Sequence, residues 1–400
     1  MLVIFYCFCI IMKLKQIPSD FIVEEITSIE VSKEKKEHAI FTMEKQEMDT
    51  FGALHIIAKK LRVSLYEIGY AGLKDKHGLT KQYISIPAKY NAASKEIENI
   101  KLEFVGYCNK KIKIGDLEGN RFTITVRNIQ KGDTAGIHSR ANTISEIGIP
   151  NYFDSQRFGS VIHNEFIAKY LIQKNYEQAV KIFLTKYLKS ERKKTKDEKR
   201  KILANWKNLE SINVNSKIFR LVINEYNKTK SWLEAYKKIP PNLREMFVNA
   251  YQSYLWNECV KETLKKIVGK ERLYTIDYNI GSLIFYKKLI DAEINKIPLT
   301  FQTISHSMKF SSEFEEEIIK SLLSKENIDL KDLDIEEETS NFFKTRKREL
   351  ILKPQGFTIS ELEIDEINDK GKKNRYKITL SFILHKGSYA TLITKRLFGH

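Results

Sequence analysis

The feature that most constrains this chain is a change of hydrophobic period. Toward both ends the sequence alternates as strands do, and from His163 to about Ser340 helical periodicity prevails. Arg121 to Arg127 sets Phe122, Ile124 and Val126 on one side and Thr123, Thr125 and Arg127 on the other, the pattern of a half-buried strand. Tyr376 to His385 alternates again, ahead of a helical Ser388 to Phe398. Phe21 to Ile26 and Ala39 to Met43 read as strands around a charged turn, and Asp133 to Ile147 reads as a helix. Asp49 can cap a helix on which Phe51, Leu54, Ala58 and Leu61 share a face. Within the middle stretch, Asn242 to Val268 is the clearest helix, with Phe247, Ala250, Tyr251, Tyr254 and Leu255 as its apolar stripe. The class predicted is α+β.

A chain of 400 residues, 42% of them hydrophobic, can bury a large core and is expected to form two domains. Its formal net charge of +17 makes a polyanion the first partner to consider, because Lys and Arg bound at phosphates release counterions. No run reaches the roughly 20 apolar residues that span a bilayer, so nucleic acid is favoured over membrane. Cys7, Cys9, Cys108 and Cys259 show neither a paired zinc pattern nor the density of a disulfide scaffold, which fits a reducing cytoplasm. The eight histidines show no metal spacing, and no metal site is expected. Residues 1–11 are apolar throughout but lack a basic leading region and a cleavage site. They read as an extension to a protein whose translation starts at Met12, a reading that intact mass would decide.

Chemistry concentrates in Tyr70-Ala71-Gly72-Leu73-Lys74-Asp75-Lys76-His77-Gly78-Leu79-Thr80-Lys81-Gln82. One carboxylate sits there among cationic and imidazole side chains, in a glycine-punctuated connection between a short apolar segment, Ile68 to Ala71, and a strand, Gln82 to Pro87. Lys74, Lys76 and Lys81 are expected to keep Asp75 ionised. His77 is the one group of general-base type in the loop, though phosphate and carboxylate pairing suffice to explain its basic residues. A solvated, charged turn would look the same in isolation, so the rest of the chain has to decide.

Six motifs do so. Besides Tyr70 to His77 they are Gly119-Asn120-Arg121-Phe122-Thr123, Ile149 to Gly159 (Ile-Pro-Asn-Tyr-Phe-Asp-Ser-Gln-Arg-Phe-Gly), Ala250 to Asn257 (Ala-Tyr-Gln-Ser-Tyr-Leu-Trp-Asn), Lys347 to Pro354 and Gly387 to Thr391. With these motifs in this order, the chain resembles the TruD family of tRNA pseudouridine synthases from about Lys15 to Phe398. The resemblance implies a pseudouridine synthase catalytic domain with a mixed or antiparallel sheet flanked by helices, interrupted by a largely helical insertion domain. The catalytic domain would comprise residues 12–147 and 353–400, and the insertion residues 148–352. The implied reaction isomerises uridine at tRNA position 13, in the D arm, without cofactor or metal. It needs no obligate protein partner, and a monomer is expected.

The same resemblance carries the catalytic aspartate onto Asp75 as nucleophile and a lysine that pairs with it onto Lys15. It places Asn120 and Phe122 at the base. Asn could bond the uracil edge and Phe could stack on it, although a Phe on an alternating strand is also an ordinary core residue. Lys74 and Lys76 are further candidates for substrate contact, and Arg157 for a phosphate. Arg348 and Arg396 stand in or beside motifs, as RNA contacts or as salt-bridge partners. The run from Lys186 to Lys207 holds ten Lys and Arg against three acidic residues, and reads either as a solvated helix face or as a tRNA backbone contact. The rival functional class is a noncatalytic basic RNA-binding or chaperone protein of the same fold. A metal-dependent nuclease built on Asp75 would need more carboxylates near it than the sequence offers.

Overall fold

The computed structural model describes residues 3–7, 10–189, 191–371 and 374–399. The chain separates into two compact units, Met1–Ile149 with Lys353–His400, and Pro150–Leu352.

The first unit is built on one mixed sheet. Its central strand, Gly119–Ile129, lies antiparallel to Tyr376–His385 on one side and to Phe21–Ile26 on the other. Thus the C-terminal strand closes against a strand more than two hundred residues earlier. Phe21–Ile26 then runs parallel to Leu79–Pro87, with Ile22 opposite Leu79. Beyond that, Leu79–Pro87 pairs antiparallel with His38–Gln46, which in turn pairs antiparallel with Ile100–Cys108. The parallel step has a local consequence. The two strands start at the same level, so the segments that lead into them, Lys15 to Asp20 and Asp75 to Gly78, come to the same edge of the sheet.

Asp49 caps the helix Thr50–Leu61 as expected, its Oδ1 accepting from the Gly52 N–H at 2.9 Å. Of the face read from the sequence, Leu54, Ala58 and Leu61 pack on the core and Phe51 does not. Thr50, Ala53, Leu54 and Ile57 face inward, whereas Phe51 is exposed and meets Tyr70 edge-on. The helix is turned so that the Thr50 hydroxyl reaches Gln82 in the sheet. Leu54 and Ile57 pack with Phe41, Met43, Ile84, Ile86 and Leu102, and each large aliphatic side chain buried this way contributes about 1.5–3 kcal/mol.

The strand Gly119–Ile129 also departs from simple alternation at its end. Arg127, expected on the polar side, is buried, and Asn128 takes a left-handed φ of 62° where the register with Tyr376–His385 shifts. The helical reading of Asp133 to Ile147 shortens to Ile137–Glu146 after a 3-10 turn at Lys131–Thr134. Of the apolar N-terminal segment, Val3–Cys7 pairs antiparallel with Ile10–Leu14, and Lys13 lies opposite Arg127 of the central strand. Met1, Leu2, Phe8 and Cys9 lie outside the described residues.

The second unit is mostly helical around Pro241–Ile267. Pro241 stands in the first turn, where its missing N–H costs nothing. Trp256, Tyr251, Leu255 and Asn257 are among its buried residues, so this helix is apolar beyond a single stripe and forms the centre of its unit. Helical periodicity is not uniform here, since Leu273–Tyr278 and Gly281–Tyr286 form an antiparallel hairpin. Their aromatic and β-branched residues suit a pleated surface better than a helix.

Candidate active site

The Asp75 loop leaves the short strand Gly69–Tyr70 and returns into Leu79–Pro87. Buried polar groups tie its backbone down from beneath. The Gln82 amide donates to the Gly72 carbonyl at 3.0 Å, and the Thr50 hydroxyl accepts from the Lys74 N–H at 2.9 Å. The Lys45 ammonium donates to the Asp75 carbonyl at 2.9 Å and to the Met48 carbonyl at 2.6 Å. At the loop's end a Cβ on Gly78 would stand 2.5 Å from the Phe21 carbonyl, so only glycine lets the two strand starts come this close.

The Asp75 carboxylate itself faces outward, with 34% of its side chain exposed, and Lys15 Nζ lies 3.1 Å from its Oδ1. The Lys15 side chain is almost wholly buried, and its ammonium sits 3.7 Å from the centroid of the Phe21 ring. Lys15 occupies left-handed backbone space at φ 57°, a conformation that costs a residue with a Cβ about 1–2 kcal/mol. The turn that holds it there is the next one in the chain. Asp20 Oδ2 accepts from the Gln16 and Ile17 N–H groups, and Asp20 Oδ1 accepts from Arg127 Nε at 2.7 Å. Arg127 is bound in turn to Asp365 and Glu366. A buried network spanning the N-terminal turn, the central strand and the C-terminal segment therefore aims one lysine at one carboxylate. Strain of this kind persists where surrounding structure over-determines it.

The remaining residues named from the sequence fall into different places. Lys74, expected beside Asp75 and toward the substrate, has its ammonium buried on Glu25, whose other oxygen accepts from the Tyr83 N–H. A carboxylate inside the sheet outcompetes one that is half in water. Lys81, also expected to support Asp75, lies nearest to Glu103 at 3.9 Å. Lys76 and His77 are exposed on the loop. Partial burial, then neighbouring cations including Lys76 and Lys15, keep the His77 pKa below its ordinary value despite Asp75.

Phe122 lies one ring away from the Lys15 site. It meets Phe21 edge-on at 6.2 Å and stacks on Phe382 at 5.6 Å, and is 8% exposed. Asn120, two residues earlier on the same phase, has a buried side-chain oxygen without a hydrogen-bond partner. An orphaned amide oxygen in a wall next to such a site is a place for a ligand's N–H.

Arg157 belongs to the second unit, where its guanidinium lies over the Phe153 ring. Most of that motif is spent internally. Asn151 bonds the carbonyl of Glu349 and accepts from Arg348 Nη2 at 2.6 Å, Tyr152 donates to the Ile284 carbonyl, and Asn257 bonds both the N–H and the carbonyl of Phe153. Arg348 thus joins Asn151 and covers the Phe153 ring, and Arg396 is buried in its helix. The basic run forms the helix Lys193–Ala204, in which Lys199 is buried on Glu191 and the Lys186 carbonyl, and Arg200 pairs with Asp197. Lys193, Lys194 and Lys207 are exposed, and Ser190 of this run lies outside the described residues.

Sequence reasoning missed Lys45, Glu25, Asp20 and Arg127. Lys45 carried a signal, because it continues the inward phase of Ala39, Phe41 and Met43. Glu25 likewise continues that of Phe21 and Val23. Among the described residues, no group of three or more His, Cys, Asp or Glu side chains could hold a metal ion, and no helix is long and apolar enough to cross a membrane.

Comparison with known proteins shows the family. A protein of Methanocaldococcus jannaschii named "Probable tRNA pseudouridine synthase D 2" is 44% identical over 402 residues, covering 98% of this chain and 93% of its own. The tRNA pseudouridine synthase D of Aquifex aeolicus is 31% identical over 393 residues, covering 96% of this chain and 98% of its own. A crystal structure titled as a TruD protein from Methanosarcina mazei superposes with a TM-score of 0.73 at 27% identity, covering 97% of this chain and 93% of that one. The family model described as tRNA pseudouridine synthase D (TruD) matches residues 5–397, so the chain, with its mixed sheet interrupted by a largely helical segment, belongs to the TruD family.

Proposed function

We propose that this protein isomerises uridine to pseudouridine in tRNA, at position 13 of the D arm, with Asp75 as the nucleophile. The observation that carries the reading is a carboxylate one-third open to solvent, on a loop whose backbone is bound from below, with a buried ammonium 3.1 Å away. In the reaction the bond from uracil N1 to ribose C1′ breaks and a bond from C5 to C1′ forms, while C5 gives up its proton and N1 gains one. No electron donor and no second substrate enter this balance. A carboxylate can form and release the covalent intermediate that lets the base turn. Lys15 orients that carboxylate through the 3.1 Å ion pair.

Asn120 is assigned to the uracil edge, which its orphaned oxygen supports. Phe122, with Phe21, forms the apolar wall behind it and not an open stacking platform, given how little of its ring is exposed. Lys76 on the loop and Arg157 in the second unit are assigned to phosphates, and the exposed lysines of 193–207 to a general attraction for the tRNA backbone. The unit Met1–Ile149 with Lys353–His400 carries the chemistry, and Pro150–Leu352 is the insertion. The target base has to leave its stack to reach Asp75, at a cost of a few kcal/mol, which a loop or strained site lowers.

Primer extension on carbodiimide-treated tRNA transcripts tests the proposal, comparing wild type with Asp75→Asn and adding neither metal nor nucleotide. One new stop at a D-arm uridine, seen with wild type and absent with the variant, is the expected result. Salt-sensitive tRNA binding without any stop would instead favour the noncatalytic RNA binder. Binding that does not weaken with salt would remove the role given to the basic surface.

A further inference from the structure

We infer that Lys45 is a positioning residue of the active site, whose ammonium fixes the backbone of Asp75 and with it the direction of the carboxylate. The inference rests on the reading of Asp75 as nucleophile. Lys45 is 1% exposed, near the end of an inner strand of the sheet, at a register position opposite Thr80 and Ile100, neither of which is charged. A lysine buried this deeply needs a reason, because taking an ammonium out of water is costly unless its donors are used. Two of them are used on carbonyl groups, those of Met48 and Asp75. Met48 precedes the cap of the helix Thr50–Leu61, and Thr50 of that helix binds the Lys74 N–H. One ammonium therefore ties the helix start and the loop to each other, and the residue it grips in the loop is the one with the reactive carboxylate.

A purely structural lysine would not need that partner. The backbone of Asp75 is held by the 2.9 Å contact from below, and its carboxylate by Lys15 from beside. The two lysines have separate roles, since Lys45 sets where the carboxylate starts and Lys15 where it ends. The charged groups that face Lys45 are Asp75 and Lys74 from the loop and Asp49 from the helix cap. Burial lowers its pKa to about 8, with Asp75 and Asp49 opposing the shift. The charge on Lys45 is thus lost under mildly alkaline conditions.

The test compares wild type, Lys45→Met and Asp75→Asn in single-turnover and steady-state assays on a tRNA transcript. Lys45→Met should lower kcat by about 10²-fold, the cost of misplacing a reacting group by an ångström or so, and leave KM and tRNA affinity within about twofold. A rise in KM with kcat unchanged would overturn the inference, as would wild-type kinetics. Should the variant fail to fold, the wild-type protein supplies the measurement: its single-turnover rate should fall as pH rises through about 8 while tRNA affinity holds, and a flat rate would sink the proposal. Asp75→Asn separates the two readings. If it stays active, the nucleophile was wrongly assigned; if it is dead while Lys45→Met turns over normally, only the role of Lys45 falls.

Discussion

Two aspartates sit in motif-rich loops of this chain, and their surroundings are opposite. Around Asp75 the structure binds the backbone and leaves the carboxylate one-third exposed, with a single ammonium 3.1 Å away. Around Asp154 the loop binds the side chain: it is 3% exposed and caps the turn Ser155–Phe158, accepting from the Ser155 N–H at 2.7 Å. Its neighbours Asn151, Tyr152 and Phe153 are likewise committed to internal bonds. Both loops are rich in polar residues, and the second is the richer in aromatics. The Asp75 loop holds its main chain and leaves a carboxylate open to solvent, whereas the Asp154 loop uses its polar side chains to hold itself, and the proposed function predicts chemistry at the first only.

Substitution at the two sites should break this comparison if it is wrong. The largest effect is expected from Asp75→Asn, which should reduce pseudouridine formation by at least about 10³-fold while thermal midpoint and tRNA binding stay near wild type, because the carboxylate contributes little to packing. Next comes Arg127→Leu. It strands Asp20 and Asp365 as buried, unpaired carboxylates, and chemical denaturation should show a loss of about 3–5 kcal/mol. Activity should fall further than stability alone explains, since Asp20 also sets the turn that carries Lys15. Asp154→Ala should cost about 1 kcal/mol through the lost cap, with kcat per folded molecule unchanged. A selective loss of kcat in Asp154→Ala would mean that the second loop is more than scaffold.

How far the sequence could be read follows the same division. Strands at Phe21–Ile26 and Tyr376–His385 were legible because their alternation is complete, and the pairing of Lys15 with Asp75 was expected from the family motifs around them. The partner of Lys74 was not, since choosing Glu25 over Asp75 depends on the parallel register of Ile22 with Leu79, which no local pattern encodes. On the helix Thr50–Leu61 only the place of Phe51 was misjudged, for a related reason. Phe51 is the more apolar residue, but Thr50 has a hydrogen bond waiting in the sheet, and the helix turns to make it. Lys45 and Glu25 could have been found by treating a charge on the inward phase of a strand as a signal instead of an interruption. Arg127 could not, because the shift at Asn128 that turns it inward breaks the alternation itself.

The smallest expected effect is also the most discriminating, because stability and activity should move in opposite directions. Lys45 has a folded-state pKa of about 8, well below the ordinary lysine value of 10.5. Below pH 8 it is protonated in both folded and unfolded chains, and the full cost of burying its charge is present. Between about pH 8 and 10.5 the unfolded chain binds more protons than the folded one, so the stability of the fold rises with pH on account of this group. Measured against Lys45→Met, which cannot titrate, wild type should gain about 1 kcal/mol on going from pH 7 to pH 9. Over the same interval its turnover should decline, because an uncharged amine holds the Asp75 carbonyl less firmly than an ammonium does. A lysine that only supported packing would leave turnover per folded molecule constant as the fold gained stability.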